Sequence, residues 1–269
     1  MTKDLSVLSR FATPATVLVL LLTGCGAVGG TAEETDPMEE PTLGACRNLV
    51  PEDIAAHDNG TPVVDCGEPH TAQTFAVGTL PKELSGNEQD LTDPALGKHV
   101  YETCSPKFQG FLGGDESLVM RSLLTWAWFR PSEDQWEAGA RWYRCDVVAG
   151  TEDSEQLRRL PKTAKGLLNG PPDDDWMTCA VGETVTGSEK VPCAEPHDWR
   201  AVTTIQVGKP ADPYPGDRAV EVRTRDFCSG SVGAWMNYPV DYEFGYTYYR
   251  EAEWQAGNRR SICWARTDE

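Results

Sequence analysis

The sequence predicts an α+β protein made of two tandem homologous, disulfide-stapled domains, each an antiparallel sheet with one main helix packed on it. Three observations carry this reading. The pentapeptide Cys66-Gly67-Glu68-Pro69-His70 returns as Cys193-Ala194-Glu195-Pro196-His197. Four cysteines stand in one order around each copy: Cys46, Cys66, Cys104 and Cys145, then Cys179, Cys193, Cys228 and Cys263. Each copy closes on W-x-A-G-x-R, with nine positions from Trp136 to Cys145 and nine from Trp254 to Cys263. A fixed order of unlike signals occurring twice is the mark of a duplicated unit.

Ahead of the repeats, Lys3 and Arg10 flank a polar start, and Ala15 to Leu22 form a short apolar run. A positive start, a short apolar core and a small-residue exit describe a secretory signal peptide over 1–24. The run is well below the roughly 20 residues a membrane-spanning helix needs. Leu22-Thr23-Gly24-Cys25 resembles a bacterial lipobox, which implies cleavage before Cys25 and lipid attachment to its sulfur. Residues 25–43 carry Glu33, Glu34, Asp36, Glu39 and Glu40 with no basic residue, and read as a flexible acidic tether.

The first unit is expected over 44–149 and the second over 176–269. Thr61 to Asp65 and Thr74 to Thr79 are β-favouring runs on either side of the first C-x-E-P-H turn, and Trp199 to Val207 alternates likewise in the second copy. Asp93 before Pro94 gives an N-cap and a first-turn proline, opening a helix through Cys104 to about Phe108. Its counterpart runs from Asp217 to about Trp235. Leu124, Trp126 and Trp128 alternate on one strand, and Phe244, Tyr246 and Tyr248 on another. The closing strands carry Cys145 and Cys263. Residues 150–175, with Pro and Gly clusters and mixed charge, read as a linker whose apolar middle packs on one domain.

With Cys25 assigned to lipid, eight of the nine cysteines remain, an even number that reads as a disulfide framework in an exported chain. The first two of each unit bracket a hairpin, and the third sits on a helix over the last strand. The expected pairs are therefore Cys46–Cys66, Cys104–Cys145, Cys179–Cys193 and Cys228–Cys263. No C-x-x-C occurs, so neither a zinc ribbon nor a thioredoxin-type redox motif is indicated. A net charge of −18 argues against nucleic acid as a partner, and against adhesion to anionic headgroups through basic patches.

Three chemistries compete for C-x-E-P-H. A zinc site would need two ligands beyond Cys66 and His70, yet His57 and His99 have no counterparts in the second copy. A catalytic site would pair Glu68 with His70, or Glu195 with His197, as base and orienter. Its nucleophile is missing, because Ser105 and Ser229 follow the helical cysteines without a G-x-S-x-G context. The scaffold reading uses every residue: Cys66 staples the turn, Pro69 and Pro196 fix φ, and Glu68 or His70 bonds local backbone or meets Arg141. In the partner motif, Trp136 and Trp254 are buried, and Gly139 and Gly257 turn the chain. Arg141 and Arg259 face an acid or stack on an aromatic ring. This reading assigns no catalytic residue, metal ligand or cofactor. The aromatics Trp126, Trp128, Tyr246, Tyr248 and Tyr249 could form a sugar-binding face, but alternation of this kind favours core.

The lipobox, the C…C-x-E-P-H pattern, the helical cysteine and the terminal W-x-x-G-x-R-x-x-x-C together resemble the septum-formation family of actinobacterial envelope proteins. The resemblance covers about Leu43 to Val148 and Trp176 to Arg266. It implies an exported or membrane-attached protein with a part in septum formation, and offers no catalytic residues to carry over. The expected function is that of a lipid-anchored protein on the extracytoplasmic face of the cell membrane, with a binding or structural role in the envelope. Its partners would be the membrane, through the lipid, and an unidentified envelope protein or the cell wall. The alternative is an envelope hydrolase or wall-modifying enzyme using the two Glu/His pairs.

Overall fold

Each C-x-E-P-H turn leads directly into the central strand of a five-stranded antiparallel sheet. A computed structural model describes residues 40–150, 154–209 and 211–267. The lipobox, Cys25 and the signal peptide lie outside the described residues. The first sheet contains β1 (Cys46–Arg47), β2 (Val63–Val64), β3 (Ala72–Thr79), β4 (Leu124–Phe129) and β5 (Trp142–Ala149), in the order β2-β1-β3-β5-β4. The second contains β6 (Thr178–Val181), β7 (Glu189–Pro192), β8 (Trp199–Gln206), β9 (Phe244–Thr247) and β10 (Arg260–Arg266), in the order β7-β6-β8-β10-β9. Replacing each strand of the first order by its counterpart in the second gives the same arrangement.

Short helices α1 (Pro51–Ala55), α3 (Glu116–Met120), α4 (Glu133–Glu137) and α6 (Glu251–Ala256) punctuate the chain around two long ones, α2 (Pro94–Leu112) and α5 (Asp217–Trp235). Asp93 opens α2 by accepting a hydrogen bond from the Ala95 N–H at 2.9 Å, with Pro94 in the first turn where its missing N–H costs nothing. The helix runs one turn beyond Phe108 and ends at Gly113, whose φ of 80° is the left-handed conformation that glycine adopts without strain. Along α2, Leu96, Val100, Cys104, Phe108 and Leu112 are buried at four-residue spacing; along α5, Val220, Thr224, Cys228 and Val232 are. That spacing puts one face of each helix on its sheet. Burial of each large apolar side chain contributes about 1.5–3 kcal/mol.

Disulfides pin these contacts. Cys104 on α2 is bonded to Cys145 on β5, and Cys228 on α5 to Cys263 on β10. Cys46 with Cys66, and Cys179 with Cys193, tie the first strand of each sheet to its C-x-E-P-H turn. All eight residues of β5 are buried, because its sheet is covered on both faces. Tyr143, Cys145, Val147 and Ala149 face the core under α2, whereas Trp142 and Val148 pack with Leu49, Ala127 and Phe129.

The segment between the sheets is no free tether. Leu160, Ala164 and Leu168 are buried in the core under α2. The Leu160 N–H donates to His70 O at 2.9 Å, and the Leu168 N–H to Leu112 O at 2.9 Å. The halves also touch directly. Arg260 Nε donates to Glu116 Oε2 at 2.6 Å, Thr204 Oγ1 to Ser117 Oγ at 2.8 Å, and Ser122 bridges Met177 in an antiparallel pair. The described residues therefore belong to one compact unit.

Candidate functional site

The first C-x-E-P-H turn is held by its own backbone. The Glu68 N–H donates to Asp65 O at 2.9 Å and the Gly67 N–H to Asp65 Oδ1 at 2.6 Å. Pro69 then turns the chain inward and His70 is buried, 1% exposed. Its Nδ1 lies 2.9 Å from Glu68 O. A carbonyl oxygen only accepts, so Nδ1 is the donor of this bond. In the second turn the Glu195 N–H donates to Pro192 O at 3.0 Å, and buried His197 brings Nδ1 to 2.8 Å from Glu195 O.

This arrangement determines what the turns can do. In both, the glutamate meets its histidine through the backbone carbonyl, so no carboxylate–imidazole pair forms. The Glu68 side chain is exposed, and Glu195 Oε1 accepts from Arg158 Nη1 at 3.4 Å across a largely exposed pair that contributes at most about 1 kcal/mol. Both Nε2 atoms are shut off from solvent and have no hydrogen-bond partner. A general base must come within hydrogen-bond reach of the proton it removes, and these ring nitrogens meet protein atoms only. Beside the second turn, the Asp174 carboxyl is held below the usual carboxylate range. The hydrogen bond from Arg200 is the main cause, and the charges of Arg200 and His197 add to it. Among the described residues no group of three His, Cys, Asp or Glu side chains is arranged to hold a metal ion, and no helix is long and apolar enough to cross a membrane.

The W-x-A-G-x-R turns form a second pair of clusters, separate from the first. Trp136 and Trp254 are buried, and Gly139 and Gly257 take φ of 107° and 110°. The Arg141 guanidinium lies 4.0 Å from the Trp136 ring centroid and that of Arg259 3.6 Å from Trp254. Arg141 Nη1 donates to Trp136 O at 2.7 Å, and Arg259 Nη1 likewise bonds Trp254 O. Of the partners expected for Arg141, the aromatic ring is the one it takes. Glu68 and His70 do not reach it, because Ser85 O, Trp136 O, Ala140 O and Asn87 Oδ1 already occupy the fork. Of the strand aromatics, Tyr249 is buried, while Trp126, Trp128, Tyr246 and Tyr248 are half-buried against the two cores.

One cluster escaped the sequence reading. Behind the first sheet Arg47 Nη1 donates to Thr74 Oγ1 at 2.9 Å, and Thr74 Oγ1 to Asp146 Oδ1 at 2.7 Å. Arg144 Nε donates to Asp146 Oδ2 at 2.9 Å, and its Nη2 to Asn59 Oδ1 at 2.9 Å. All four of Arg47, Thr74, Arg144 and Asp146 are buried. Burial, then repulsion from Arg144, push the Arg47 pKa down to about 10 against the opposing pull of Asp146. In the sequence a charge stands on each side of Cys145 in a run that opens on Trp142 and Tyr143, which marks the positions but not their burial.

Comparison with known proteins gives one match. A family model described as septum formation covers residues 43–263. No curated protein and no solved structure matches the chain.

Proposed function

The chain belongs to the septum-formation family, and we propose that it is a non-catalytic binding or structural module of the cell envelope that acts at the division septum. In this reading a lipid on Cys25 holds it to the extracytoplasmic face of the membrane, and residues 25–43 serve as its tether. We also infer that the two halves are tandem copies of one unit, over 44–149 and 176–269, joined through 150–175. The common strand order of the two sheets and the paired motifs support that inference.

The observation that carries the non-catalytic reading is the enclosure of both imidazoles, each fastened through Nδ1 to a backbone carbonyl two residues back. A side chain in that state closes a turn and presents no lone pair to a substrate. The proposed partner is an envelope protein or the cell wall.

The test is microscopy of dividing cells that carry a fluorescent fusion of the full chain beside its Cys25→Ser variant. The wild-type fusion should concentrate at septa, and the variant should lose membrane retention. Even wild-type labelling of the whole envelope would sink the septal placement, and unchanged retention of Cys25→Ser would sink the lipid anchor.

A further inference from the structure

One place beside each long helix is filled in the second half and open in the first. Aligned on their cysteines, Ser105 and Gln109 of α2 correspond to Ser229 and Gly233 of α5. On the edge strands, Trp126 faces Val147 and Phe244 faces Ala265, each two places past the sheet cysteine. Leu124 and Tyr242, two residues earlier, are therefore counterparts too. In the second half the Tyr242 ring lies against α5: its hydroxyl donates to Ser229 O at 2.8 Å, and a Cβ on Gly233 would lie 2.7 Å from that oxygen. A six-membered ring with a hydroxyl, supplied by the chain itself, occupies this place.

In the first half Leu124 replaces the tyrosine, and Gln109 replaces the glycine that makes room for it. A cavity of about 370 Å³ remains, bounded by Tyr101 and Gln109 of α2, Glu116 of α3, and Leu124, Thr125 and Trp126 of β4. Ligand sites begin at roughly 300 Å³, so this one has room for a ring or two. Its walls are of two kinds. The Tyr101 and Trp126 rings stack with centroids 5.9 Å apart and offer apolar surface. Around them stand the Tyr101 and Thr125 hydroxyls, on exposed residues, and the Gln109 amide, half-buried yet open to solvent. None of these three groups has a hydrogen-bond partner among the described residues. Glu116 is the one charged residue of the lining, and its Oε2 already accepts from Arg260 Nε.

We propose that this cavity binds a neutral pyranose sugar, the chemistry of a wall glycan. An anion finds no free cation in the lining and meets the field of a chain at −18. A cation finds its one carboxylate already paired. A purely apolar ligand would cover the amide and the hydroxyls without giving them partners, which costs affinity. A pyranose ring answers both kinds of wall. Its C–H faces lie on the electron-rich faces of Tyr101 and Trp126, and its rim of hydroxyls both donates and accepts toward Gln109 and Thr125. The second half shows that a hydroxylated six-membered ring fits the corresponding place. The inference rests on the cell-wall partner and the paired halves set out under Proposed function. Titration reads it alone, so it can fail while the septal placement holds, and the reverse.

The probes are the β-1,4-linked dimer of N-acetylglucosamine and methyl β-glucoside, with a blocked Gly-Ser-Gly peptide as the rival class. Each is titrated into the full-length chain while the ¹⁵N indole resonances are followed. Trp126 should shift saturably with sugar and stay in place with the peptide. Gln109→Ala and Thr125→Val should each weaken binding about threefold to tenfold, the scale of one hydrogen bond. The double variant Leu124→Tyr with Gln109→Gly imports the filled arrangement of the second half and should abolish binding. Unmoved Trp142 and Trp264 indole resonances certify the fold of each variant. If the double variant fails that check, the two single substitutions carry the test. Absence of a Trp126 shift with both sugars would overturn the proposal, as would equal binding of the peptide. Undiminished binding by the folded double variant, or by both single variants, would overturn it too.

Discussion

Behind the first sheet the chain buries a charge network, and at the matching positions behind the second it buries hydrocarbon. One residue past the first cysteine stands Arg47 in one half and Ala180 in the other. Four past the motif histidine stand Thr74 and Ala201. On either side of the last cysteine stand Arg144 and Asp146 in one, Ile262 and Trp264 in the other. The ladder pairs Thr74 with Asp146 and Ala201 with Trp264, so these are the same places in the same frame. Around Trp264, Ala180, Val185, Trp199 and Ala201 pack as an apolar cluster. Two sheets of corresponding strand order therefore carry two different solutions, each with its own set of partners. A network losing one member leaves a buried charge uncompensated, whereas exchanging the whole set for well-packed apolar groups is often neutral or stabilising.

This contrast can be broken in graded steps. The largest effect should come from Asp146→Ala, which strands the cations of Arg47 and Arg144 and should cost about 3–5 kcal/mol in chemical denaturation. Trp264→Ala should cost a similar 3–5 kcal/mol, but through a cavity. Replacing the network outright, with Arg47→Ala, Thr74→Ala, Arg144→Ile and Asp146→Trp together, should cost less than Asp146→Ala alone. A larger loss from the fourfold variant would show that the frame of the first half cannot accept the apolar set.

Next in size stand the disulfides that join helix to sheet. Replacing Cys104 and Cys145 together with alanine should cost about 4 kcal/mol, and Cys228 with Cys263 nearly the same, since loop length enters only as a logarithm. Melts of the two double variants should then agree within a few degrees. A wide gap would mean that one half leans on its staple more than the comparison allows.

His70→Ala and His197→Ala each remove a buried hydrogen bond and should cost about 1–3 kcal/mol. Because the halves share one compact unit, calorimetry of the full chain should register either loss. Indifference at both positions would separate the imidazoles from the fold.

The smallest effect is acidic. The Asp174 carboxyl is held low by Arg200, so its contribution is present above the ordinary carboxylate pKa and disappears as pH falls through its lowered value. The pair is largely exposed, and solvent screening keeps the contribution below about 1 kcal/mol. Arg200→Gln should lower stability by less than about 1 kcal/mol at neutral pH, and the difference from wild type should shrink as pH falls through the lowered Asp174 pKa.

Much of the frame could be read from local signals. Asp93-Pro94 announces α2 because a cap and a first-turn proline act within one turn, and the alternation from Trp199 onward announces β8 for the same local reason. Helix α2 runs one turn past Phe108 because Gly113, at φ 80°, is what stops it, and that stop acts through backbone conformation, not through apolar spacing. The four short helices were invisible, since five or six residues carry no periodicity. Charge at Arg144 and Asp146 gave no warning of burial, because its compensation comes from Arg47, nearly a hundred residues away. The difference between the two motif arginines was equally hidden: Arg141 also meets Ser85 O and Asn87 Oδ1, in the loop 81–93 before α2, whereas the loop before α5, 208–216, is four residues shorter.

The most direct test of the claim that the twin turns are scaffold is the native reactivity of the four histidines toward diethylpyrocarbonate, mapped by peptide mass in the full-length chain. His57 is exposed and sets the rate of an accessible imidazole, while His70 and His197 are enclosed with Nδ1 bonded and Nε2 shut off from solvent. The account predicts that His57 is modified readily and that His70 and His197 stay unmodified until the chain is denatured. Modification of either motif histidine at the rate of His57 in the folded protein would contradict it, and would return C-x-E-P-H to the list of candidate reactive sites.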